Sequence, residues 1–217
     1  MNAVKVKICG ITREETLEAA INAGADAVGF VVGVPSSPRN LSFERTAELV
    51  KQVPVFTKTV LVMVPEGVDE IVEAYEAIRP DALQIHGEGT PNANVLKKMM
   101  PGVGLIKGIN PEPERLMRAA EETGAYDTLL LDTFVPGKLG GTGAQQDWEM
   151  SARFREAIHP KRMILAGGLN PMNVEEAIRV VKPYAVDVSS GVESRPGHKD
   201  PDKIASFVGN VRKVKPR

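Results

Sequence analysis

Val4-Lys5-Val6-Lys7-Ile8-Cys9-Gly10-Ile11-Thr12 reads as a strand, a glycine break and the start of a helix, and the recurrence of this unit decides the fold. Val4, Val6 and Ile8 alternate with Lys5, Lys7 and Cys9, a period of two that sends successive side chains to opposite faces of a strand. Gly10 ends the strand, and Thr12, three residues before Glu15, has capping-box spacing for a helix through Leu17, Ala20 and Ile21. Cys9, the only cysteine, is therefore expected at the C-terminal tip of a strand.

The same grammar repeats along the chain. Ala27-Val28-Gly29-Phe30-Val31-Val32 is too apolar to have a wet face, as suits a parallel sheet covered by helices. It leads through a Pro/Ser loop holding Arg39 to a helix capped by Ser42. Strands over 58–64 and 82–86 are followed by helices over 68–78 and 94–100, and a strand over 104–107 by a helix around 116–122. Thr128-Leu129-Leu130-Leu131-Asp132 precedes the longest loop, which contains Gly140-Gly141-Thr142-Gly143, and a helix near 148–158. Strands over 163–168 and 185–191, with helices over 173–181 and about 202–211, complete roughly eight units of about 27 residues each, the count and length of one (β/α)8 TIM barrel over 1–217. A doubly wound open sheet is the structural alternative, but it has fewer strands, and no GxGxxG follows a strand here.

With 42 % hydrophobic and 25 % charged residues and a net charge of -1, the composition is that of a soluble globular protein and offers no electrostatic case for nucleic acid or an anionic membrane. One cysteine forms no internal disulfide, no signal-peptide layout is visible, and no apolar run approaches the ~20 residues of a membrane span. A cytoplasmic location is expected. So is a small-molecule partner, bound by a monomer or homodimer.

Side chains at the C-terminal strand ends of a barrel converge on one mouth, so Cys9, Arg39, His86, Lys107, Asp132, Gly167-Gly168 and Ser189-Ser190-Gly191 read as a single site. The glycine turns after strands seven and eight fall where this fold binds phosphate, and Gly141 and Gly143 sit in a loop long enough to cover it. Cys9 reads as an inert core residue, or as a base or nucleophile whose thiolate the nearby Lys7 favours near neutral pH. Barrel closure puts strand eight beside strand one, so Asp187 is expected to pair with Lys7, for structure or for function. Asp132, on an apolar base that would raise its pKa, reads as a proton donor or a turn residue. His86 reads as a substrate ligand, a shaper of the mouth or a turn cap, and Arg39 as a carboxylate fork or a solvated side chain. No metal or other cofactor is expected, since His86, His159 and His198 lie on different units.

Taken together, these motifs resemble the phosphoribosylanthranilate isomerase family. The resemblance rests on Lys7-Ile8-Cys9-Gly10-Ile11-Thr12, Gln84-Ile85-His86-Gly87-Glu88, Leu131-Asp132-Thr133 with Gly140-Gly141-Thr142-Gly143, Ala166-Gly167-Gly168-Leu169-Asn170-Pro171, Val186-Asp187-Val188-Ser189-Ser190-Gly191-Val192-Glu193 and Pro196-Gly197-His198-Lys199-Asp200. It departs from the family's usual Phe-Asp-Trp at Gln146-Asp147-Trp148. The resemblance implies an Amadori rearrangement of N-(5-phosphoribosyl)anthranilate, with Cys9 as general base and Asp132 as general acid. It also assigns the phosphate to the loops after strands six, seven and eight, and Arg39 to the anthranilate carboxylate. Two rivals use the same fold. A metal-dependent pentose-phosphate epimerase needs paired histidine and carboxylate ligands at strand ends, and a non-catalytic phosphosugar-binding barrel has no use for Cys9 and Asp132.

Overall fold

Eight parallel strands carry the repeat: β1 (Lys5–Cys9), β2 (Ala27–Val32), β3 (Lys58–Met63), β4 (Ala82–Ile85), β5 (Gly104–Ile109), β6 (Thr128–Asp132), β7 (Arg162–Ala166) and β8 (Ala185–Val188). They come from a computed structural model that describes residues 3–87, 92–109, 124–132 and 148–214. Each strand pairs with the next in sequence, and β8 returns to β1 with Lys7 beside Asp187 and Ile8 beside Val188. The sheet therefore closes as the (β/α)8 barrel expected from the repeat. Around it lie α1 (Glu14–Asn22), α2 (Phe43–Val50), α3 (Val68–Ile78), α4 (Ala93–Met99), α5 (Trp148–Ala157), α6 (Val174–Val181) and α7 (Pro201–Lys213). The helix expected over 116–122 and the loop holding Gly141, Gly143, Gln146 and Asp147 lie outside the described residues.

Strand alternation divides the apolar residues into two cores. Ile8, Val28, Phe30, Leu61, Leu83, Leu105, Leu131, Leu165 and Val186 face the helices, which bury them with Leu17, Leu49, Ile71, Ile178 and Phe207. Cys9, Val31, Val60, Val62, Ile106, Leu130, Ile164 and Ala166 fill the barrel itself. Because Cys9 belongs to the inner set, so does Lys7; because Leu130 does, so does Asp132.

Three aspartates stitch the N-terminal end. Asp26, Asp81 and Asp127 each precede an even-numbered strand and accept the amide of the second residue of the strand before it: Val6 at 2.9 Å, Thr59 at 2.8 Å and Leu105 at 2.9 Å. Lys5, Lys58 and Lys97 complete the pairs. These charges serve the end of the barrel remote from the mouth, where the role is stability.

The local signals held at α2, where Ser42 accepts from the Arg45 amide, and failed at α1. Thr12 does not cap; the helix begins at Glu14, and the Thr12 hydroxyl donates to the Gly197 carbonyl at 3.3 Å. A tertiary acceptor has taken the group that local spacing assigned to the helix. Two small elements were not foreseen: Asn40–Leu41, which extends the sheet beside β2, and a hairpin of Glu193–Arg195 with His198–Lys199 beyond β8.

Candidate active site

The mouth is built on a buried polar layer across the barrel. Lys7 Nζ donates to Asp187 Oδ2 and to Gln84 Oε1, both at 2.9 Å, and all three side chains are buried. The Lys7–Asp187 pair expected from barrel closure is thus present. Asp187 Oδ1 is buried and has no hydrogen-bond partner among the described residues. Burial opposes the charge on Lys7, but Asp187 and Cys9 outweigh it and hold the ammonium above its ordinary value.

Cys9 lies one step above, at the end of β1. Its register partner on β2 is Gly29, where a Cβ would stand 2.9 Å from Cys9 Sγ and 3.0 Å from Lys7 Cε. Glycine is required there because the thiol and the lysine stem fill the space a side chain would take. Lys7 is therefore beside Cys9, as the alternation predicts. The net effect on the thiol differs from the expectation, because burial is the largest influence and pushes the pKa up, while Lys7 and Lys199 pull it down without cancelling that shift. Burial thus favours the thiol over the thiolate.

His86 follows β4 and joins the same layer. Gln84 must turn its oxygen to Lys7, so its amide nitrogen donates to His86 Nε2 at 2.8 Å, which places the imidazole proton on Nδ1. The ring rests over Gly108 on β5, where any Cβ would overlap it. Burial, then the charges of Lys7 and Lys107, push the His86 pKa down to about 4. Lys107 does not share the inner face with His86, although its ammonium reaches the same end of the barrel. Ile106 belongs to the inner core, so Lys107 points to the helix side, where its ammonium donates to the Gly87 carbonyl at 2.8 Å.

A neutral His86 makes stability pH-dependent with a definite sign. The unfolded chain binds the proton near pH 6.5 and the folded one only near 4, so stability is complete above 6.5 and falls as pH drops through that window. Between pH 7 and pH 4.5, wild type is expected to lose about 2 to 3 kcal/mol more than His86→Gln in urea unfolding.

Arg39 has a partner the sequence did not suggest. Its Nε and Nη2 both donate to Glu193, each at 2.7 Å, so one edge of the fork is occupied from within. Glu193 also accepts from Lys199 at 2.8 Å, and Lys199 donates to the Ser189 carbonyl at 3.0 Å and hydroxyl at 3.1 Å. This cluster ties the loop after β2 to the hairpin beyond β8. Gln84, Glu193 and Lys199 were all missed; only Gln84, two residues before His86 and so on its face, carried a readable signal.

The two glycine turns meet. A Cβ at Gly191 would overlap the Leu169 carbonyl, so the backbones after β7 and β8 are in direct contact and only glycine fits. Gly167 and Gly168 adopt φ of 80° and 58°, and Asn173 Nδ2 donates to the Gly168 carbonyl at 3.0 Å. Asp132 ends β6, three strands around the barrel from β1, with its side chain on the inner face. Cys9, His86, Asp132 and the turns after β7 and β8 thus share one end of the barrel, while Gly141 and Gly143 lie outside the described residues. Among the described residues no group of three or more His, Cys, Asp or Glu side chains is gathered for a metal, and no helix is long and apolar enough to cross a membrane.

Comparison with known proteins identifies the family. Residues 6–210 match the family model described as N-(5'phosphoribosyl)anthranilate (PRA) isomerase. A relative from Methanothrix thermoacetophila named N-(5'-phosphoribosyl)anthranilate isomerase is 47% identical over 209 residues, 96% of this chain and 98% of its own. A crystal structure of phosphoribosyl anthranilate isomerase in complex with reduced 1-(o-carboxyphenylamino)-1-deoxyribulose 5-phosphate superposes with a TM-score of 0.81 at 38% identity, covering 97% of this chain and 100% of that one. Monomers of the dimeric Thermotoga maritima isomerase give 0.81 at 36% identity with the same coverage. On its fold, its strand-end residues and these full-length matches, the chain belongs to the N-(5'-phosphoribosyl)anthranilate isomerase family, the isomerases of tryptophan biosynthesis.

Proposed function

We propose that the protein converts N-(5-phosphoribosyl)anthranilate to 1-(2-carboxyphenylamino)-1-deoxyribulose 5-phosphate in the cytoplasm, with Cys9 as general base and Asp132 as general acid. The observation that carries the reading is that both side chains take the inner face at the same barrel end, on strands three apart, beside paired glycine turns. Asp132 donates its proton to the furanose ring oxygen as the anilino nitrogen forms the C=N bond, which opens the ring to a Schiff base. Cys9 then takes the C2′ proton, and the electrons of that bond move to give an enolamine. The enol hydroxyl proton is lost and C1′ gains one, so the product is the ketone and no atom is added overall. Acid and base sit too far around the barrel to quench one another. A neutral His86 adds no positive charge beside the cationic Schiff base.

The phosphate falls to the turns Gly167-Gly168 and Ser189-Ser190-Gly191, with Gly141 and Gly143 closing over it, since glycine lets backbone N–H groups approach its oxygens. The free edge of Arg39 takes the anthranilate carboxylate. A bidentate charged contact of this kind contributes about 1.5–3 kcal/mol, so Arg39→Met is expected to raise KM by about 10- to 100-fold with a smaller change in kcat. The penalty should vanish for an analogue lacking the carboxyl group. The decisive assay follows the fluorescence of phosphoribosylanthranilate on adding purified protein; no loss of signal would overturn the reading.

For assembly we propose a homodimer. Val55 and Phe56, 83% and 95% exposed, stand out before β3 as an apolar step of the kind an interface covers, and the related Thermotoga maritima isomerase is described as dimeric. Sedimentation is expected to give twice the monomer mass, and Phe56→Glu to give the monomer.

A further inference from the structure

We propose that Lys199, carried by the hairpin beyond β8, is a positioning residue for the base: among the described residues it supplies the excess positive charge in the buried network around Cys9 and so lowers the cost of the thiolate form. The inference rests on the reading of Cys9 as the base. Three cations, Lys7, Arg39 and Lys199, and two carboxylates, Asp187 and Glu193, make up the network.

The pairing is unequal. Lys7 has Asp187 at 2.9 Å, and Arg39 has both oxygens of Glu193 at 2.7 Å. Lys199, with a side chain only 1% exposed, has a share of Glu193 Oε1 at 2.8 Å, an oxygen that Arg39 already holds. Its other partners, the Ser189 carbonyl and hydroxyl, are neutral. A buried cation with half an anion is costly unless something completes its charge. Counted over the described residues, the cluster carries one positive charge in excess, and Cys9 is the group within it whose ionisation brings that sum to zero.

Placement supports the count. Ile8 pairs with Val188, so Cys9 and Ser189 leave β1 and β8 side by side, and Ser189 is the residue Lys199 grips. The directions of ionisation agree. Glu193 and Asp187 hold Arg39 and Lys7 above their ordinary values, whereas burial keeps Lys199 below its own despite Glu193 and Cys9. Among the described residues the other titratable groups facing the network are Lys203 on α7, exposed, whose ammonium donates to the Glu193 backbone carbonyl at 2.8 Å, His86 on β4, which is neutral, and Asp132, three strands away on β6. In the reaction the thiolate takes the C2′ proton and becomes a thiol, and Lys199 neither gives nor receives a proton.

A single cysteine makes the test specific. Ultraviolet thiolate absorbance of the intact protein, with the Cys9→Ser spectrum subtracted at each pH, titrates Cys9 alone. Lys199→Met is expected to raise the midpoint by about one pH unit, and Glu193→Gln, which removes a negative charge from the same cluster, to lower it by about as much. A structural role alone would move both midpoints in one direction or neither, and either result overturns the proposal. So does weaker binding of inorganic phosphate by Lys199→Met with an unmoved midpoint, which would give the cation to the phosphate instead. Should Lys199→Met lose the wild-type circular dichroism, Lys199→Gln and Glu193→Gln decide by the same signs. Turnover by Cys9→Ser is a separate measurement: full activity there would sink the base assignment while leaving the charge relation as titrated.

Discussion

Cys9→Ser and Asp132→Asn are each expected to lower kcat by about 10²- to 10⁴-fold, the range that one positioned acid or base supplies. Serine has nearly the shape of cysteine, but its hydroxyl does not ionise in the working range, so no base remains for the C2′ proton. Asparagine keeps the hydrogen-bonding shape of Asp132 and cannot release a proton to the ring oxygen. Neither change touches the glycine turns, which stand on β7 and β8, so affinity for inorganic phosphate should stay within about twofold while turnover collapses. The fluorescence assay with a parallel phosphate titration separates the two effects. Wild type should also show a base limb displaced to alkaline pH. The base works only when deprotonated, burial pushes the Cys9 thiol up, and kcat/KM should therefore climb as pH rises above neutrality. A profile flat from pH 7 upward, or full activity in either variant, would show that these two groups are not the acid and base.

How much of this was legible beforehand depended on whether one residue's neighbours are fixed by repeat and parity. Cys9, Asp132, Lys7 and Asp187 were legible because strand alternation sets their face and barrel closure brings β8 to β1, two facts that need no distances. Lys107 faces outward because Ile106 takes the inner face, and β5 runs two residues past it to Ile109, so it is not the strand tip that the apolar pattern suggested. Arg39 and Glu193 are separated by 154 residues and meet through two irregular segments, so no period connects them. The Cys9 ionisation failed for a different reason. Sequence supplies the lysine next door but not the depth of burial, and depth is the larger influence. The Thr12 cap shows the same limit from the other side, since its hydroxyl has a partner in the hairpin loop.

Lys7→Met is expected to be the most destabilising single change in the barrel interior, costing about 3–5 kcal/mol, because it strands the Asp187 carboxylate without a counter-charge where water cannot reach it. Methionine matches the lysine stem, so packing against Gly29 survives and the loss reads charge rather than volume. Among the described residues Oδ1 of the carboxylate has no partner, which makes it dependent on the ammonium contact at Oδ2. Adding Asp187→Asn should therefore restore most of the stability, as removing both halves of a buried pair generally does. Gln84 also loses its donor, so the amide is free to turn and His86 loses the contact that fixes its tautomer. Activity should not return with stability. The double variant lacks the ammonium, which lowers the Cys9 pKa more strongly than the Asp187 carboxylate raises it, so burial is less opposed, the thiolate is scarcer at neutral pH, and a rate deficit of about tenfold should persist. Urea unfolding of wild type, both single variants and the double variant measures the coupling, and the fluorescence assay on the same four proteins measures the rate. If stability and activity recover together, the pair is scaffolding alone; if stability recovers and activity does not, Lys7 works for Cys9 as well as for the barrel.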